Sequence, residues 1–559
     1  MSERDRTLRL LYAYTPMAAL LVALALFVTL VPTSSRKAAR EVVSTEELLG
    51  TAGSPLASAA DDGSGTRSGR RISGPQADRG TVTAVPGNSS WRPTGQDCSR
   101  RKLIASPTCR PTPAFRGDNG GVTARNVDAD EIRVVAYEPG GNPQVDALLD
   151  TFGASSSDDS KNIAALKAYE KFFNERFETY GRRVRILFQR GPGDASIPDE
   201  QTADAKAVVE KLRATFVMSA VGSTAFHDEV SRQGITNIAG GLQFPSRFYE
   251  ERSPNVFGMV PDLDLTLDHD AEYWCKRLNG RPAVHAGDPT YRSRQRKLGI
   301  IYPEDNQTLT GGKLLKAKIE ACGGSVTKMV SYVSDVSTAA QQATNAIAQL
   351  KQAGVTTVTC TCDPLAPIFF TSAATNQGWF PEWIQNGVLL TDLPDFGRLY
   401  DQQQWSHSFG ITVFGKPTLV RESDAWKAYF AAEPNGDKAN VNAAYYGMLL
   451  YFFSGIEAAG PKLTPKTFAQ ALFRIPPIVG KAPWDSHISF GRWGPSPYSA
   501  IDDVCEIWWD PTREGPDGKP GWHFYVRGGA RYNLGQWPES DPVVFVDDGS
   551  PQPERDPDR

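Results

Sequence analysis

Hydrophobic positions are distributed unevenly along the chain, and the longest apolar run lies close to the N-terminus. The 22 residues from Leu10 to Val31 include no charged side chain, and no second run of this kind follows. At about 1.5 Å per helical residue, such a run spans a bilayer core about 30 Å thick. The pattern therefore predicts a transmembrane helix over residues 10–31, behind a short cytoplasmic tail of residues 1–9; a long signal sequence is the alternative.

Further along, the pattern changes to short apolar runs that alternate with amphipathic stretches. The run EIRVVAYE, which begins at Glu131, predicts a buried strand because it is rich in β-branched residues. The stretch after it predicts a helix, because Ile163, Leu166, Tyr169 and their successors recur every three or four positions. The alternation continues to about residue 262 and then restarts. It predicts right-handed βαβ units, so the expected fold class is α/β with two lobes, each a parallel sheet flanked by helices.

Two segments lack the composition of a folded core. Residues 32–109 are rich in Ser, Gly, Ala, Thr, Asp and Arg, and residues 546–559 are rich in Asp and Pro. Such segments cannot bury enough apolar area to offset the roughly 1–2 kcal/mol per residue that ordering the backbone costs. We therefore expect a disordered linker before the folded region, residues 110–545, and a disordered tail after it.

Cysteine spacing indicates in which compartment the protein resides, and net charge limits the classes of partner that it can bind. Cys98 and Cys109 bracket a polar loop with no metal-ligating residues nearby, which predicts a disulfide in an oxidising compartment; two unpaired thiols are the alternative. The predicted location is the cell membrane, with a single span and the large domain outside the cytoplasm. The formal net charge of −4 argues against a nucleic-acid partner.

Four stretches of the folded region resemble the type I periplasmic binding proteins, the leucine/isoleucine/valine-binding family that serves bacterial ABC importers. They are FVMSAVGSTAFHDEVSRQGITNIAGG, SPNVFGMVPD, LGIIYPEDNQTLTGGKLLKAKIEACGGSV and NVNAAYYGMLLYFFSGIEAAGPKLTPKTFAQALF. The second of them resembles the family's first crossing between lobes. The resemblance implies a lobe one of residues 126–262 and 408–505 and a lobe two of residues 263–407 and 506–545. It also implies an extracytoplasmic protein that captures a small polar, amino-acid-like solute for an ABC permease.

Two turns of lobe one contain the first candidate ligand contacts. The hydroxyls of Ser223 and Thr224 open a helix whose free amides suit a carboxylate or another small anion. Capping of that helix is the alternative. By resemblance, Gly240, Gly241 and Leu242 supply backbone contacts to an α-amino-acid ligand; a simple tight turn is the alternative.

Lobe two offers polar side chains after two of its predicted strands. Asn306 and Gln307 follow LGIIYP, and Asp363 follows TCTC. The Asp363 carboxylate can pair with a ligand ammonium group; an N-cap for the next helix is the alternative. Amino-acid-binding relatives place an aromatic residue in these loops. Its absence here therefore implies a more polar ligand, or none.

The remaining cysteines suggest further pairs. Cys275 and Cys322 lie on the first two predicted helices of lobe two, so we expect them to form a disulfide. Cys360 and Cys362 lie two positions apart and therefore face the same side of a strand. We interpret them as structural thiols or half of a bridge, and expect one of them to pair with Cys505.

No set of catalytic or metal-ligating residues accompanies these features. The six histidines show neither an i, i+4 pair nor a cysteine spacing that suits a metal, and no nucleophile elbow or phosphate-binding loop occurs. The basic run from Tyr291 to Lys297 is interpreted as a solvated loop. We therefore expect a binding protein without a cofactor rather than an enzyme. An extracellular sensing or interaction module with no transport role is the alternative.

Overall fold

The computed structural model describes residues 115–151, 158–219, 222–305, 310–478, 480 and 482–558. The predicted membrane span and the linker, including Cys98 and Cys109, lie outside the described residues, as do Asn306 and Gln307. Among the helices that are described, none combines the length and the apolar character needed to cross a membrane.

Lobe one is built on a five-stranded parallel sheet. Its strands are β1 (Glu131–Gly140), β2 (Arg183–Asp194), β3 (Phe216–Ser219), β4 (Thr236–Ala239) and β5 (Val256–Gly258), in the order β2-β1-β3-β4-β5. The helices between them are α1 (Pro143–Thr151), α2 (Asp159–Arg176), α3 (Pro198–Glu210), α4 (Thr224–Arg232) and α5 (Ser246–Glu251). The predicted apolar face of α2 is buried in the main core of this lobe, with Tyr169 and Phe173 at its centre.

Lobe two is built on an eight-stranded mixed sheet. Its strands are β6 (Leu298–Pro303), β7 (Val326–Tyr332), β8 (Thr357–Cys360), β9 (Glu382–Asn386), β10 (Ser408–Thr412), β11 (Val504–Glu514), β12 (Pro520–Tyr525) and β13 (Arg531–Tyr532). The order is β12-β11-β10-β9-β8-β6-β7, with β13 paired to β11. The strands from β6 to β10 are parallel, and β11 runs antiparallel to its neighbours.

Helices cover the second sheet and then return the chain to lobe one. Lobe two contains α6 (Leu263–Tyr273), α7 (Gly312–Ala321), α8 (Ala339–Gln352), α9 (Ala366–Asn376), α10 (Pro394–Gly397) and α11 (Gln402–Trp405). The helices α12 (Asp424–Ala432), α13 (Ala443–Ala459) and α14 (Pro465–Leu472) pack into the core of lobe one. The predicted α/β class, with two sheets and flanking helices, is confirmed; the second sheet differs from the predicted parallel sheet because β11 runs antiparallel to its neighbours.

The second crossing between the lobes lies later than the sequence predicted. Residues 408–412, expected in lobe one, form β10 of the second sheet, where they pair in parallel with β9. All five residues of β10 are buried, because this strand lies in the interior of the second sheet, between β9 and β11. Residues 504–505, also expected in lobe one, begin β11 of the second sheet.

Three segments of the described chain connect the lobes: residues 259–262, 413–423 and 496–503. The end of β5 and the first segment are hydrogen-bonded to the third. The amide of Gly258 donates to the Tyr498 carbonyl at 2.9 Å, and the Ala500 amide donates to the Gly258 carbonyl at 3.0 Å. The buried carboxylate of Asp262 accepts the Ser496 hydroxyl at 2.6 Å, which ties the first crossing to the third.

The basic run before β6 is not a simple solvated loop, because its Arg296 is fully buried. The Arg296 guanidinium donates to both carboxylate oxygens of Glu382, from Nε at 2.8 Å and from Nη2 at 3.0 Å. Both side chains are inaccessible to solvent. This bidentate pair supplies hydrogen bonds to the buried guanidinium charge. The interpretation of the run as a solvated loop is therefore wrong for Arg296.

The C-terminal segment, predicted to be disordered, is bound to the folded domain as far as residue 558. The Gln552 side chain pairs with the Tyr525 backbone, accepting from its amide and donating to its carbonyl, both at 2.8 Å. Asp558 accepts from Arg421 Nη2 at 2.8 Å. These partners supply the stabilisation that the segment's composition alone cannot.

Candidate ligand-binding site

The turn before α4 gives different roles to its two hydroxyl groups. Ser223 caps the helix: its Oγ accepts from the Phe226 amide at 3.2 Å and donates to Gln201 Oε1 at 3.3 Å. The capping alternative therefore describes Ser223, whose donor is already used. Thr224 is half-buried, and its hydroxyl has no hydrogen-bond partner in the described part of the chain. Of the two, Thr224 is the one free to bind a ligand.

A buried histidine lies directly beneath this turn. Asn237 donates its amide hydrogens to neighbouring acceptors, so its Oδ1 accepts from His227 Nδ1, 2.8 Å away. Burial lowers the pKa of His227 to about 4, which keeps the ring neutral with Nε2 unprotonated. Among the described residues, Nε2 and the buried Ser219 Oγ have no hydrogen-bond partner. A Cβ on Gly222 would lie 2.8 Å from Ser219 Oγ and 2.9 Å from His227 Nε2, so only glycine fits here.

A buried polar network holds Gln201, the partner of Ser223. The Tyr137 hydroxyl donates to Asp204 at 2.8 Å, and the same carboxylate oxygen accepts from the Gly193 amide at 3.0 Å. Burial raises the pKa of Asp204. Gln201 Nε2 donates to the Gly193 carbonyl at 2.9 Å, and the Tyr137 ring stacks on Phe226 with centroids 3.8 Å apart. The turn before α4 is therefore fixed from below by side chains of β1 and α3.

The turn after β4 lies beside the first turn and also reaches lobe two. The Gly240 amide donates to the Ser219 carbonyl at 2.8 Å, which joins the two predicted turns. Gly241 is half-buried, and Leu242 packs against the apolar core of lobe two as well as a small cluster of lobe one. The ligand role of Gly240, Gly241 and Leu242 stays a prediction.

Gln243, which the sequence analysis missed, bridges the lobes next to these residues. Its side chain is 1 % exposed. Nε2 donates to Thr266 Oγ1 and to the Gly387 carbonyl, and Oε1 accepts from the Leu389 amide, all at 3.0 Å. Leu389 and Leu390 have φ values of 48° and 67°, a region that bulky residues rarely occupy. Gln243 therefore holds a strained loop of lobe two against lobe one.

In lobe two, Asp363 organises the start of a helix. Its Oδ1 accepts from the amides of Leu365 and Ala366 at 3.0 and 3.1 Å, as the capping alternative described. Its Oδ2 accepts the Tyr332 hydroxyl at 2.7 Å. Tyr332, the last residue of β7, is thus an aromatic neighbour of Asp363 that the sequence analysis did not identify. No contact among the described residues joins Asp363 to Ser223 or Thr224, so their joint role stays a prediction.

The cysteines pair differently from the expectation at one position. The structure joins Cys275 to Cys322, with Cα atoms 6.3 Å apart, and Cys360 to Cys362, with Cα atoms 5.1 Å apart. Cys505 is a free, buried thiol, and burial raises its pKa to about 12. The expected bridge from Cys360 or Cys362 to Cys505 is therefore wrong. Cys360 ends β8 and Cys362 lies two residues later, so these two cysteines are close enough to form a bridge with each other.

A cavity of about 700 Å³ lies elsewhere in lobe two, between α6, α7 and the segment after β13. Its lining includes charged side chains of both signs, among them Asp268, Glu272, Lys276, Arg281 and Lys318. The uncharged lining residues include Cys275. Lys318 pairs with Asp268 at 2.5 Å and Lys276 with Glu272 at 2.7 Å, so these charges already have partners. Within the described residues, no three acidic, His or Cys side chains are grouped to hold a metal ion.

Solved structures with the same two-lobed fold come from several prokaryotes. A type 1 periplasmic binding protein from Bordetella pertussis Tohama I superposes with a TM-score of 0.51 at 17% identity, over 71% of this chain and 100% of that chain. A substrate-binding protein of an ABC transporter from Aeropyrum pernix gives 0.51 at 15% identity, over 72% and 96%. A solute-binding protein of an ABC transporter from Rhodopseudomonas palustris HaA2, in complex with p-hydroxybenzoic acid, gives 0.50 at 14% identity, over 73% and 98%. At these identities the likeness concerns the fold.

The family comparison covers more than half of the chain. The family model described as periplasmic binding protein matches residues 144–488, a range that runs from lobe one through lobe two and back. No curated protein matches the chain significantly. The match includes both turns of lobe one, Asp363 and the loop that Gln243 contacts. The chain belongs to the type I periplasmic binding protein family.

Proposed function

We propose that this protein captures a small polar solute between its two lobes and delivers it to an ABC-type importer. The observation that carries the proposal is the Thr224 hydroxyl, which lies in the first turn of α4 without a hydrogen-bond partner among the described residues. Parallel α/β sheets bind ligands beyond the carboxyl ends of their strands, which is where α4 begins. The amides at a helix N-terminus favour negatively charged groups. We therefore expect a carboxylate or carbonyl oxygen of the solute at Thr224.

Asp363 is the proposed contact for the opposite end of the solute. An ionised carboxylate has about four acceptor positions. The amides of Leu365 and Ala366 occupy the acceptor positions of Oδ1, and the Tyr332 hydroxyl occupies one acceptor position of Oδ2. The Ser334 hydroxyl lies 3.5 Å from Oδ2, a distance at which a ligand N–H can replace it. One ammonium or amide N–H group is therefore the complement that Asp363 can still accept.

A ligand screen by thermal unfolding of the full-length chain tests the proposal. The library should contain amino acids, small amides and aromatic acids, the last because the Rhodopseudomonas palustris HaA2 protein holds p-hydroxybenzoic acid. A ligand that binds only the folded state at a hundredfold excess over Kd stabilises it by about 2.7 kcal/mol. Thr224→Val removes the hydroxyl at similar volume, and Thr224→Ser keeps it. A stabilising ligand whose effect falls in Thr224→Val and persists in Thr224→Ser supports the proposal; equal effects in both variants contradict it.

The location of the protein is a second part of the proposal. Residues 10–31 would anchor the chain in the cell membrane, and residues 32–109 would tether the domain outside the cytoplasm. N-terminal sequencing of membrane-purified protein should then begin at or near Met1. A start after Ser35 or Ala39 would identify the apolar run as a cleaved signal. Loss of solute uptake on gene deletion would separate transport from sensing, since a sensing module would leave uptake intact.

A further inference from the structure

Residues 551–558 are fixed to lobe two. We define them as the C-terminal strap. The Gln552 side chain makes two hydrogen bonds with the Tyr525 backbone in β12. The Asp556 amide donates to the Pro516 carbonyl, in the connection from β11 to β12, at 2.8 Å. The strap is therefore held by the antiparallel strands at the edge of the second sheet.

The same strap is bound to residues at and beyond the second crossing. The Lys416 ammonium group donates to the Pro551 carbonyl at 2.9 Å. The Val420 amide donates to the Asp556 carboxylate, whose side chain is almost fully buried. Residues 420–422 lead directly into α12, which belongs to the core of lobe one. The strap thus contacts both lobe two and the second crossing, where the chain returns to lobe one.

Two cations surround the end of the strap: Arg421, at the end of the second crossing, and Lys438, in lobe one. Arg421 donates to Asp558, and its hydrogen bond lowers the pKa of that carboxyl. Lys438 Nζ lies 3.5 Å from Asp558 Oδ1 and donates to the Pro557 carbonyl at 3.2 Å. Lys438 is linked to α12 through Asn440, whose side chain donates to the Tyr429 hydroxyl at 3.1 Å. The acidic end of the strap therefore meets a basic surface formed by the second crossing and lobe one.

We propose that the C-terminal strap is an additional, non-covalent connection between the lobes, and that the second crossing and lobe one together carry a binding surface for its short acidic end. One set of contacts lies on lobe two, and the other lies on the second crossing and on Lys438 of lobe one, so rotation of one lobe against the other strains or breaks one set. While both sets are made, the lobes stay in the arrangement in which Gln243 accepts the Leu389 amide. The surface of Lys416, Val420, Arg421 and Lys438 takes an acidic, extended peptide, which the chain itself supplies.

Hydrogen–deuterium exchange of the full-length chain, compared with a chain that ends at Ser550, tests this connection. Without the strap, the amides of Val420 and Leu389 should both exchange at least about threefold faster, since Leu389 reports interlobe contact at a separate place. The matched control is Glu554→Gln, which removes one exposed negative charge of the strap and should leave both rates unchanged. Faster exchange at Val420 with an unchanged rate at Leu389 would overturn the proposal, because the strap would then act only locally.

Peptides added to the shortened chain test the surface itself. The peptide PQPERDPD, with the sequence of residues 551–558, should slow exchange at Val420 and Leu389 again. A peptide with Glu554→Gln should do the same, whereas one with Asp556→Asn and Asp558→Asn should not. Equal effects of all three peptides, or no effect of any, would overturn the proposed acidic-peptide surface.

Discussion

Gln243 of lobe one and Leu389 of lobe two are joined by a hydrogen bond of 3.0 Å from the Leu389 amide to the Gln243 side chain. The bond connects the turn that carries Gly240–Leu242 to a loop whose backbone is strained at two consecutive leucines. Residues held in such conformations cluster at ligand clamps and switch regions. We therefore expect this hydrogen bond to couple the movements of the two lobes at the proposed cleft.

Replacing Gln243 should destabilise the protein. Gln243→Leu keeps the volume but leaves the buried Leu389 amide, Gly387 carbonyl and Thr266 hydroxyl without this partner. A buried polar group without its partner costs about 1–3 kcal/mol. Urea unfolding should show a loss of at least that size, and Gln243→Glu should also be destabilised, because its buried carboxylate cannot donate to the Gly387 carbonyl. Equal stabilities of the wild type and Gln243→Leu would contradict the bridging role.

Adding a methyl group at position 222 should disturb the turn before α4. In Gly222→Ala the new Cβ would meet Ser219 Oγ at 2.8 Å and His227 Nε2 at 2.9 Å, closer than real side chains approach. We expect overpacking to cost about 1–3 kcal/mol in thermal unfolding. Ser219→Ala removes one of the two obstacles, a hydroxyl that has no partner in the described part of the chain, so it should restore part of the loss in the double variant. An unchanged melting temperature in Gly222→Ala would refute the tight fit.

His227 should make stability depend on pH in the acidic range. Its pKa is lowered from 6.5 to about 4 by burial, so the unfolded chain binds the proton more tightly than the folded one. The stabilisation is complete above pH 6.5 and is lost as pH falls toward 4. Between pH 7 and pH 5 the loss amounts to about 2 kcal/mol.

The contribution of His227 can be separated from those of other buried groups by comparison with a variant. His285 and His523, with pKa values lowered to about 4 and about 3, act in the same direction. Asp502, with its pKa raised to about 7, acts in the opposite direction. His227→Gln keeps a side-chain donor for Asn237. Its stability should depend less on pH than that of the wild type, by the contribution of His227 alone. Parallel pH profiles of the two proteins would rule out a buried neutral His227.

The cysteine pattern is open to direct chemical mapping. Peptide mapping without reduction should find Cys275 with Cys322 and Cys360 with Cys362. Cys505 should resist alkylation in the folded protein, because it is buried and its pKa is raised to about 12, and should react after unfolding. A mapped peptide that links Cys505 to Cys360 or Cys362 would contradict this pairing.

The alternation of apolar runs and amphipathic stretches was sufficient to predict the α/β class and the parallel strands β1–β4 and β6–β8, because each of these strands carries its own pattern; the antiparallel pairings of β11 were not predicted. Contacts between distant segments leave no such pattern. Gln243 meets partners 144 and 146 residues away, and Arg296 meets Glu382 86 residues away. The strap looked disordered because its composition is polar, whereas its order depends on Val420 and Arg421, more than 130 residues earlier.

Only the local chemistry of the candidate site could be predicted from the sequence. The helix start at Ser223 and the carboxylate at Asp363 follow from short motifs, and each motif serves both capping and ligand binding. What distinguishes Thr224 from Ser223 is the position of Gln201, which lies 22 residues before Ser223 in the sequence. Tyr332 reaches Asp363 from the end of β7, which β6 separates from β8, and the order of strands in a sheet cannot be deduced from one strand's sequence.

Calorimetric titration of Thr224→Val and Asp363→Asn with the best ligand of the screen tests the central claim most directly. If one solute is held from both lobes, Thr224→Val should weaken binding by roughly 0.5–1.5 kcal/mol, the net value of one hydrogen bond. Asp363→Asn should weaken the binding of a cationic group by more, because a desolvated charge loses its partner. Unchanged affinity in both variants would contradict the account, since the solute would then bind elsewhere and these side chains would serve only their helices.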